Sequence, residues 1–239
     1  MPELVVVVGG TSGIGLATAQ RLVDGGREVV VVGRDGTKLA AALDQLGKNA
    51  RGHALDARDQ TAMTAMFAEL GAVDHVVVTV TGPSGMTPFA SMPLSHVQDH
   101  VDGKLVTHIG VAQAALPVLR KDGSITFVSA ISSGGAMPGT AALAAVNASV
   151  EAIVPVLAVE LRPVRVNAVS PGVIATPWWD FLPADVRAET FEGFASGTPA
   201  GRVGQPSDVA HAIGFLIDNS FTTGVVLRVD GGAQLGVVA

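Results

Sequence analysis

Glycines 9, 13 and 15 stand between the apolar run "LVVVV" and a helix-like stretch, in "VVVVGGTSGIGLATAQ". That spacing suits a phosphate. Gly9 permits a tight turn, Gly13 lets the backbone approach a pyrophosphate, and Gly15 lets the following helix pack closely on the strand. A helix opening at Ile14 adds unpaired N–H groups and the positive end of its dipole. A second chemical position lies at "VVVGRDG", where the next apolar run ends. A carboxylate there holds a ribose 2′-hydroxyl. This chain has Gly33 and then Arg34, and an arginine pairs with a 2′-phosphate that a carboxylate repels. Thr11 and Ser12 add hydroxyl donors, while Asp35 is a counter-argument. On balance these residues favour NADP(H) over NAD(H).

Other chemistries find less support. The chain has no cysteine, which excludes disulfides and thiolate metal sites and fits a reducing, cytoplasmic setting. His96 and His100 have the i, i+4 spacing of two metal ligands, but no third ligand has matching spacing. An exposed polar face is the expectation there, and no metal. A net charge of −6 argues against nucleic acid or an acidic membrane as partner. The stretch "GTAALAAVNASVEAIVPVLAVEL" (139–161) is long enough to span a bilayer. Asn147, Glu151 and Pro155 interrupt it, and an apparent strand follows. It is expected to be a helix buried all round, between a sheet and a subunit partner.

The elements that position these residues alternate. Strands are expected at 4–8, 28–33, 51–55, 74–80, 123–129, 164–170 and 224–232. Helices are expected at about 14–25, 37–46, 60–70, 96–119, 139–161 and 206–218, the last opening on Pro206 with Ser207 as its cap. Continuous β-branched runs such as "LVVVV" mark strands covered on both faces. The expected fold is α/β, a three-layer doubly wound parallel sheet of about seven strands (Rossmann fold), as one domain over 1–239. Segment 176–204 holds both tryptophans and is expected to act as a substrate lid.

"GGTSGIG" resembles the nucleotide-binding turn of the short-chain dehydrogenase/reductase family, with Val8 in place of its usual threonine. "VRVNAVSPGVIATP" (164–177) and "GRVGQPSDVAHAIGFLIDNSFTTGVVLRVDGG" (201–232) resemble two further segments, so the resemblance covers nearly the whole chain. It implies that Asp56, with Ala57 beside it, meets the adenine. Thr79, Val80, Thr81 and Gly82 stand where the family has Asn-Asn-Ala-Gly, and only Gly82 matches. Pro171, Gly172 and Val173 would lie against the nicotinamide, with Thr176 on its carboxamide. The family also implies a homo-oligomer, a dimer or tetramer.

The family's catalytic groups are absent. This chain has no tyrosine. Against the Tyr-x-x-x-Lys helix, Leu143 falls at the tyrosine and Asn147 at the lysine. Ala130 falls at the serine, flanked by Ser129, Ser132 and Ser133. Lys104 falls at the family's asparagine, so lysine and asparagine have exchanged places. Lys104 is then expected to restore the missing positive charge, with Asn147 bonding the ribose and a flanking serine (Ser129 or Ser132) assisting. Burial would lower the Lys104 pKa and make it a proton donor. His108, one turn on, touches the site or packs. Met86, Phe89, Met92, Met137, Trp178, Trp179 and Phe181 can wall an apolar pocket. The expected activity is hydride transfer, with NADP(H), to or from an apolar carbonyl-like small molecule without tyrosine. Two other classes fit the same residues: an inactive dinucleotide-binding protein, and a non-redox isomerase or cyclase.

Overall fold

The β-branched run Leu4–Val8 forms β1, every residue of which is buried. Its side chains alternate between two cores. Leu4, Val6 and Val8 face one cluster and Val5 and Val7 the other, as a strand covered on both sides requires. The computed structural model describes residues 2–235, so the two ends of the expected 1–239 domain lie outside the described residues. Strands β1, β2 (Glu28–Gly33), β3 (Ala50–Ala54), β4 (Val73–Val78), β5 (Leu119–Val128), β6 (Arg165–Pro171) and β7 (Val226–Val229) make one sheet. Its order is β3-β2-β1-β4-β5-β6-β7, parallel throughout. The order reverses between β1 and β4. Ligands of open α/β sheets bind at such a switch point, beyond the carboxyl ends of the strands.

The helices are α1 (Gly13–Asp24), α2 (Gly36–Leu46), α3 (Gln60–Leu70), α4 (Leu94–His100), α5 (Thr107–Ala115), α6 (Ala141–Glu160), α7 (Ala184–Ser196) and α8 (Pro206–Asp218). Residues of α3, α5 and α6 fill one core (Met63, Phe67, Val111, Val150, Val154), and α1, α2 and α8 fill the other (Leu22, Leu39, Ile213, Leu216).

Three expectations need correction. The helix expected over 96–119 is α4 and α5 joined by a π-helical turn, Val101–Val106. Such turns often mark functional sites. Helix α8 is capped by Gln205, not Ser207, and the Gln205 N–H donates to the Asp208 carboxylate at 2.7 Å. Helix α6 is long and apolar enough for a bilayer, but it lies along the sheet. Its sheet-side face is buried, through Ala142, Val146, Asn147, Val150 and Val154, and the opposite face, expected against a subunit partner, is exposed in the single chain at Val156 and Val159. His100, expected on an exposed face, is buried. Its Nδ1 is 3.0 Å from where a Cβ on Gly82 would stand.

Buried Arg165, opening β6, ties the sheet to the far end of α8. Its guanidinium donates to Leu216 O (2.6 Å) and Ile217 O (2.9 Å), where the helix leaves carbonyls unpaired. Arg165→Met is expected to lower stability by about 2–3 kcal/mol in urea unfolding, by stranding those acceptors. The switch-point groove, at the other end of the strands, should be unaffected.

Candidate active site

Gly9 and Thr79 sit side by side at the carboxyl ends of β1 and β4. A Cβ on Gly9 would stand 2.6 Å from Thr79 Oγ1, and Gly9 has φ +90°, a conformation that favours glycine. The Thr79 hydroxyl donates to Val8 O at 3.0 Å. It braces the turn, which is its role here in addition to lining the groove. Gly15 is tighter still, because a Cβ there would stand 2.2 Å from Gly9 O. Helix α1 therefore starts hard against the turn. Its first-turn N–H groups, at Gly13, Ile14 and Gly15, have no partner within the helix, and Ser12 gives it no side-chain cap.

A groove of about 470 Å³ opens at this point. It brings together Gly9, Thr11, Ser12, Arg34, Asp56, Ala57, Thr79, Val80, Thr81 and Gly82. Gly33 also lines it and is pressed against Thr11, whose Cγ2 would be 2.5 Å from an added Cβ. An acidic side chain has no room there. Asp35 is turned away, since its carboxylate caps α2 by accepting from the Thr37 and Lys38 N–H groups (2.9 and 3.1 Å). Exposed Arg34 is left as the charge at that position.

Asp56, which the resemblance places on the adenine, is paired with a neighbouring arginine. Arg58 holds both its oxygens, with Nη2 at 2.6 Å, and this hydrogen bonding lowers the Asp56 pKa. Arg58 itself lines the groove, as do Asp99, Asp102, Gly103 and Thr107. Arg58 went unassigned in the sequence, although it stands two residues after the acid in "ALDARD".

The other residues expected to bind cofactor lie beside the groove. Thr176 packs its methyl and Cβ over Gly13, 3.3 Å from an added Cβ. Pro171 ends β6 and is buried. Gly172 and Val173 line a second cavity of about 170 Å³ with Arg202 and Asp208. They do not line the main groove, because Gly172 backs onto Asp230.

The residues expected to be catalytic form a buried cluster next to the groove, one residue past Gly103. Lys104 lies in the π turn and is 5% exposed. Its Nζ donates to Ser129 O at 3.2 Å. Burial lowers its pKa to about 7, against an opposing pull from Glu151. His108 Nδ1 is 2.8 Å from Lys104 O, and burial followed by the neighbouring Lys104 charge pushes His108 down to about 3. His108 is thus a packed neutral ring against Phe127. Asn147 Nδ2 donates to Ser132 Oγ (3.0 Å) and Leu143 O (2.9 Å), and its buried Oδ1 has no partner.

The two candidate serines differ. Ser129 is buried and its hydroxyl donates to Glu151 Oε1 at 2.7 Å. It is thereby turned from any substrate, which corrects its expected role. Ser132 Oγ accepts from Asn147, which leaves its own proton available. Glu151 is the residue sequence reasoning missed. In the sequence it stands out only as an interruption of an apolar stretch, although it lies one helical turn past Asn147 and so on the same face.

The proposed pocket wall assembles in part. Met86 approaches Gly139, and Thr87 N–H bonds Gly139 O. Phe89 is 76% exposed. Trp179 is buried among Trp178, Phe181, Phe191 and Phe194, and its Nε1 donates to Ile174 O. Segment 176–204 is thus a 3-10 turn and α7 held by its own aromatics. The His96 and His100 rings pack at a tilt of 49° with centroids 4.7 Å apart, and no third ligand joins them among the described residues.

Comparison with known proteins agrees with this geometry. Residues 8–234 match the family model described as enoyl-(acyl carrier protein) reductase. The chain is 35% identical to L-fucose dehydrogenase of Mus musculus, over 98% of this chain and 89% of that one. A crystal structure of a small-chain dehydrogenase in complex with NADPH superposes with a TM-score of 0.83 at 33% identity, covering 99% of this chain and all of the other. The MalC reductase/Diels-Alderase of Malbranchea aurantiaca gives 0.88 at 26% identity, over 98% and 96% of the two chains. With the glycine turn at the switch point of a seven-stranded parallel sheet, these matches make the chain a member of the short-chain dehydrogenase/reductase family of oxidoreductases.

Proposed function

We propose that this protein is an NADP(H)-dependent oxidoreductase acting on an apolar carbonyl-like small molecule without a catalytic tyrosine. The observation that carries the cofactor choice is the pairing of Gly33, closed against Thr11, with Asp35, engaged as a helix cap. At the end of β2 no carboxylate is free to take a 2′-hydroxyl, and Arg34 and Arg58 both stand on the groove to meet a 2′-phosphate. The NADPH complex of a 33% identical relative supports the same choice.

The dinucleotide fits the residues present. The crowded Gly9–Gly15 turn leaves backbone N–H groups for the pyrophosphate. The orphaned Asn147 Oδ1 is an acceptor suited to a ribose hydroxyl. Bound there, the cofactor supplies or accepts the hydride. This chain's residues do the rest. Ser132 presents a hydroxyl proton to the substrate oxygen, and Asn147 fixes that hydroxyl from behind. Lys104 contributes a buried positive charge one residue from the groove wall. Losing a general acid forfeits about 10²–10⁴-fold in rate. Holding the reactants together still contributes about 7–11 kcal/mol. Substrates needing little protonation therefore suit the site, namely enones, quinones and imines.

Fluorescence titration tests the cofactor. NADPH is expected to bind at least 10-fold more tightly than NADH. Arg34→Ala should weaken NADPH about 10–100-fold and NADH less than about 3-fold, since one charged hydrogen bond is lost. A preference for NADH would refute this reading. NADPH consumption across enones, quinones and imines then tests turnover, and binding without any turnover favours an inactive dinucleotide-binding protein. A second reading has one observation behind it: the similar MalC structure is that of a reductase/Diels-Alderase. A cyclisation in this pocket would proceed without NADPH consumption. We also propose a homo-oligomer, supported by the exposed Val156 and Val159 on α6 and Val106 at the end of the π turn before α5.

A further inference from the structure

Glu151 has no part in the cofactor fit, yet three serine hydroxyls converge on it. One carboxylate oxygen, Oε1, accepts hydroxyl hydrogen bonds from Ser129 (2.7 Å), Ser133 (2.7 Å) and Ser170 (2.8 Å). These come from the end of β5, the turn after it and β6. Three O–H donors on one oxygen suit an anion. Lys104 enters the same cluster from the π turn. Ser129 links the two charges, its carbonyl accepting from Lys104 Nζ and its hydroxyl donating to Glu151.

We propose that Glu151 is the positioning residue of this centre, which gathers the three hydroxyls and provides the counter-charge that keeps Lys104 an ammonium ion in a dry interior. The proposal rests on the tyrosine-independent reading of the site. Other groups facing Lys104 cannot serve. His108, one turn on, is held neutral, and His100, one turn before, is lowered by burial first and by the charges of His96 and Lys104 after it. Neither is an anion. Among the groups acting on Lys104, Glu151 is the one that favours its charged form. The usual lysine position holds Asn147, which carries no charge. Moving the cation to Lys104 therefore calls for an anion near its new place, and Glu151, one turn from Asn147, supplies it.

The test is an NMR titration of the full chain with ¹³C-labelled lysine, in the wild type, Glu151→Gln and Glu151→Asp. Lys104→Met identifies the Lys104 signal against Lys38, Lys48 and Lys121. Glu151→Gln should lower the Lys104 midpoint by a pH unit or more, a tenfold weaker hold on the proton. Glu151→Asp, which restores the charge, should fall between Gln and wild type. An unmoved midpoint in folded Glu151→Gln protein overturns the proposal, because a merely structural carboxylate would not set the Lys104 charge. If Glu151→Gln does not fold, Glu151→Ala, which also removes the charge, takes its place, and an unmoved midpoint there overturns it equally. NADPH titration of the same samples separates the two claims. Absence of binding in the wild type refutes the functional reading, whereas the lysine midpoints judge Glu151 alone.

Discussion

Gly15→Ala is expected to abolish dinucleotide binding, with at least a 100-fold loss of NADPH affinity, and to destabilise the fold by about 2–3 kcal/mol. The added methyl would stand 2.2 Å from Gly9 O and 2.7 Å from Thr79 Oγ1. Neither neighbour is a flexible side-chain end. Gly9 O belongs to the turn itself, and Thr79 is fixed by its bond to Val8 O at 3.0 Å. Helix α1 must therefore move away from the switch point. Overpacking of this kind typically costs about 1–3 kcal/mol. The affinity loss is larger because the first-turn N–H groups move with the helix, and a misplacement of about 1 Å is enough to lose aligned hydrogen bonds. Gly36→Ala is the control. It opens α2, an added Cβ there meets nothing within 4 Å, and it should change neither quantity. Calorimetry for binding and urea unfolding for stability read both arms. Full NADPH affinity in Gly15→Ala would show that the turn does not hold the pyrophosphate.

The glycine turn was legible in sequence because its information is local. A backbone that approaches a phosphate needs glycine, and the strand before it and helix after it carry their own periodicities. All seven strands were legible for the same reason, β1 and β2 to the residue, β3, β4 and β6 with ends shifted by one or two residues, and β5 and β7 by more. Residues 33 and 35 were only half legible. The sequence offers Asp35 as a rival to Arg34, and only the fold shows its carboxylate accepting from Thr37 and Lys38. The buried centre was hardest to read. Ser129 just past β5, Ser133 in the 3-10 turn after it and Ser170 in β6 meet on Glu151 of α6 only through the tertiary fold. Nothing in the spacing of these residues announces that meeting. The π turn, which carries Lys104 inward, is likewise invisible to a search for a 3.6-residue period.

Lys104→Met is expected to make the protein more stable below pH 7 by several kcal/mol, while removing the positive charge from the centre. Lys104 stands at about 7 in the folded chain against an ordinary value of 10.5. The sign follows from linkage. Below pH 7 both states hold the proton, and the folded state bears a charge in a dry interior. Between pH 7 and 10.5 the folded state releases the proton while the unfolded state keeps it. The unfolded state then binds more protons, so stability rises with pH across that window. The full gap corresponds to about 4–5 kcal/mol. Methionine fills similar volume with no charge, so its advantage should be largest near pH 6 and nearly gone by pH 10. Loss of the bond to Ser129 O and of Glu151's counter-charge will trim the gain to about 2–4 kcal/mol. His108 supplies an internal check. Held at about 3, it makes stability fall as pH drops from 6.5 towards 3, because only the unfolded state takes up the proton. That acid limb should survive in Lys104→Met, because burial is its main cause, and be somewhat shallower without the Lys104 charge, while the rise above pH 7 should flatten. Urea unfolding from pH 4 to 10 for both proteins measures the difference, and parallel curves would mean that Lys104 is not buried as a charge. A variant that is more stable and also turns over no NADPH would mark Lys104 as a residue held for chemistry at the expense of stability.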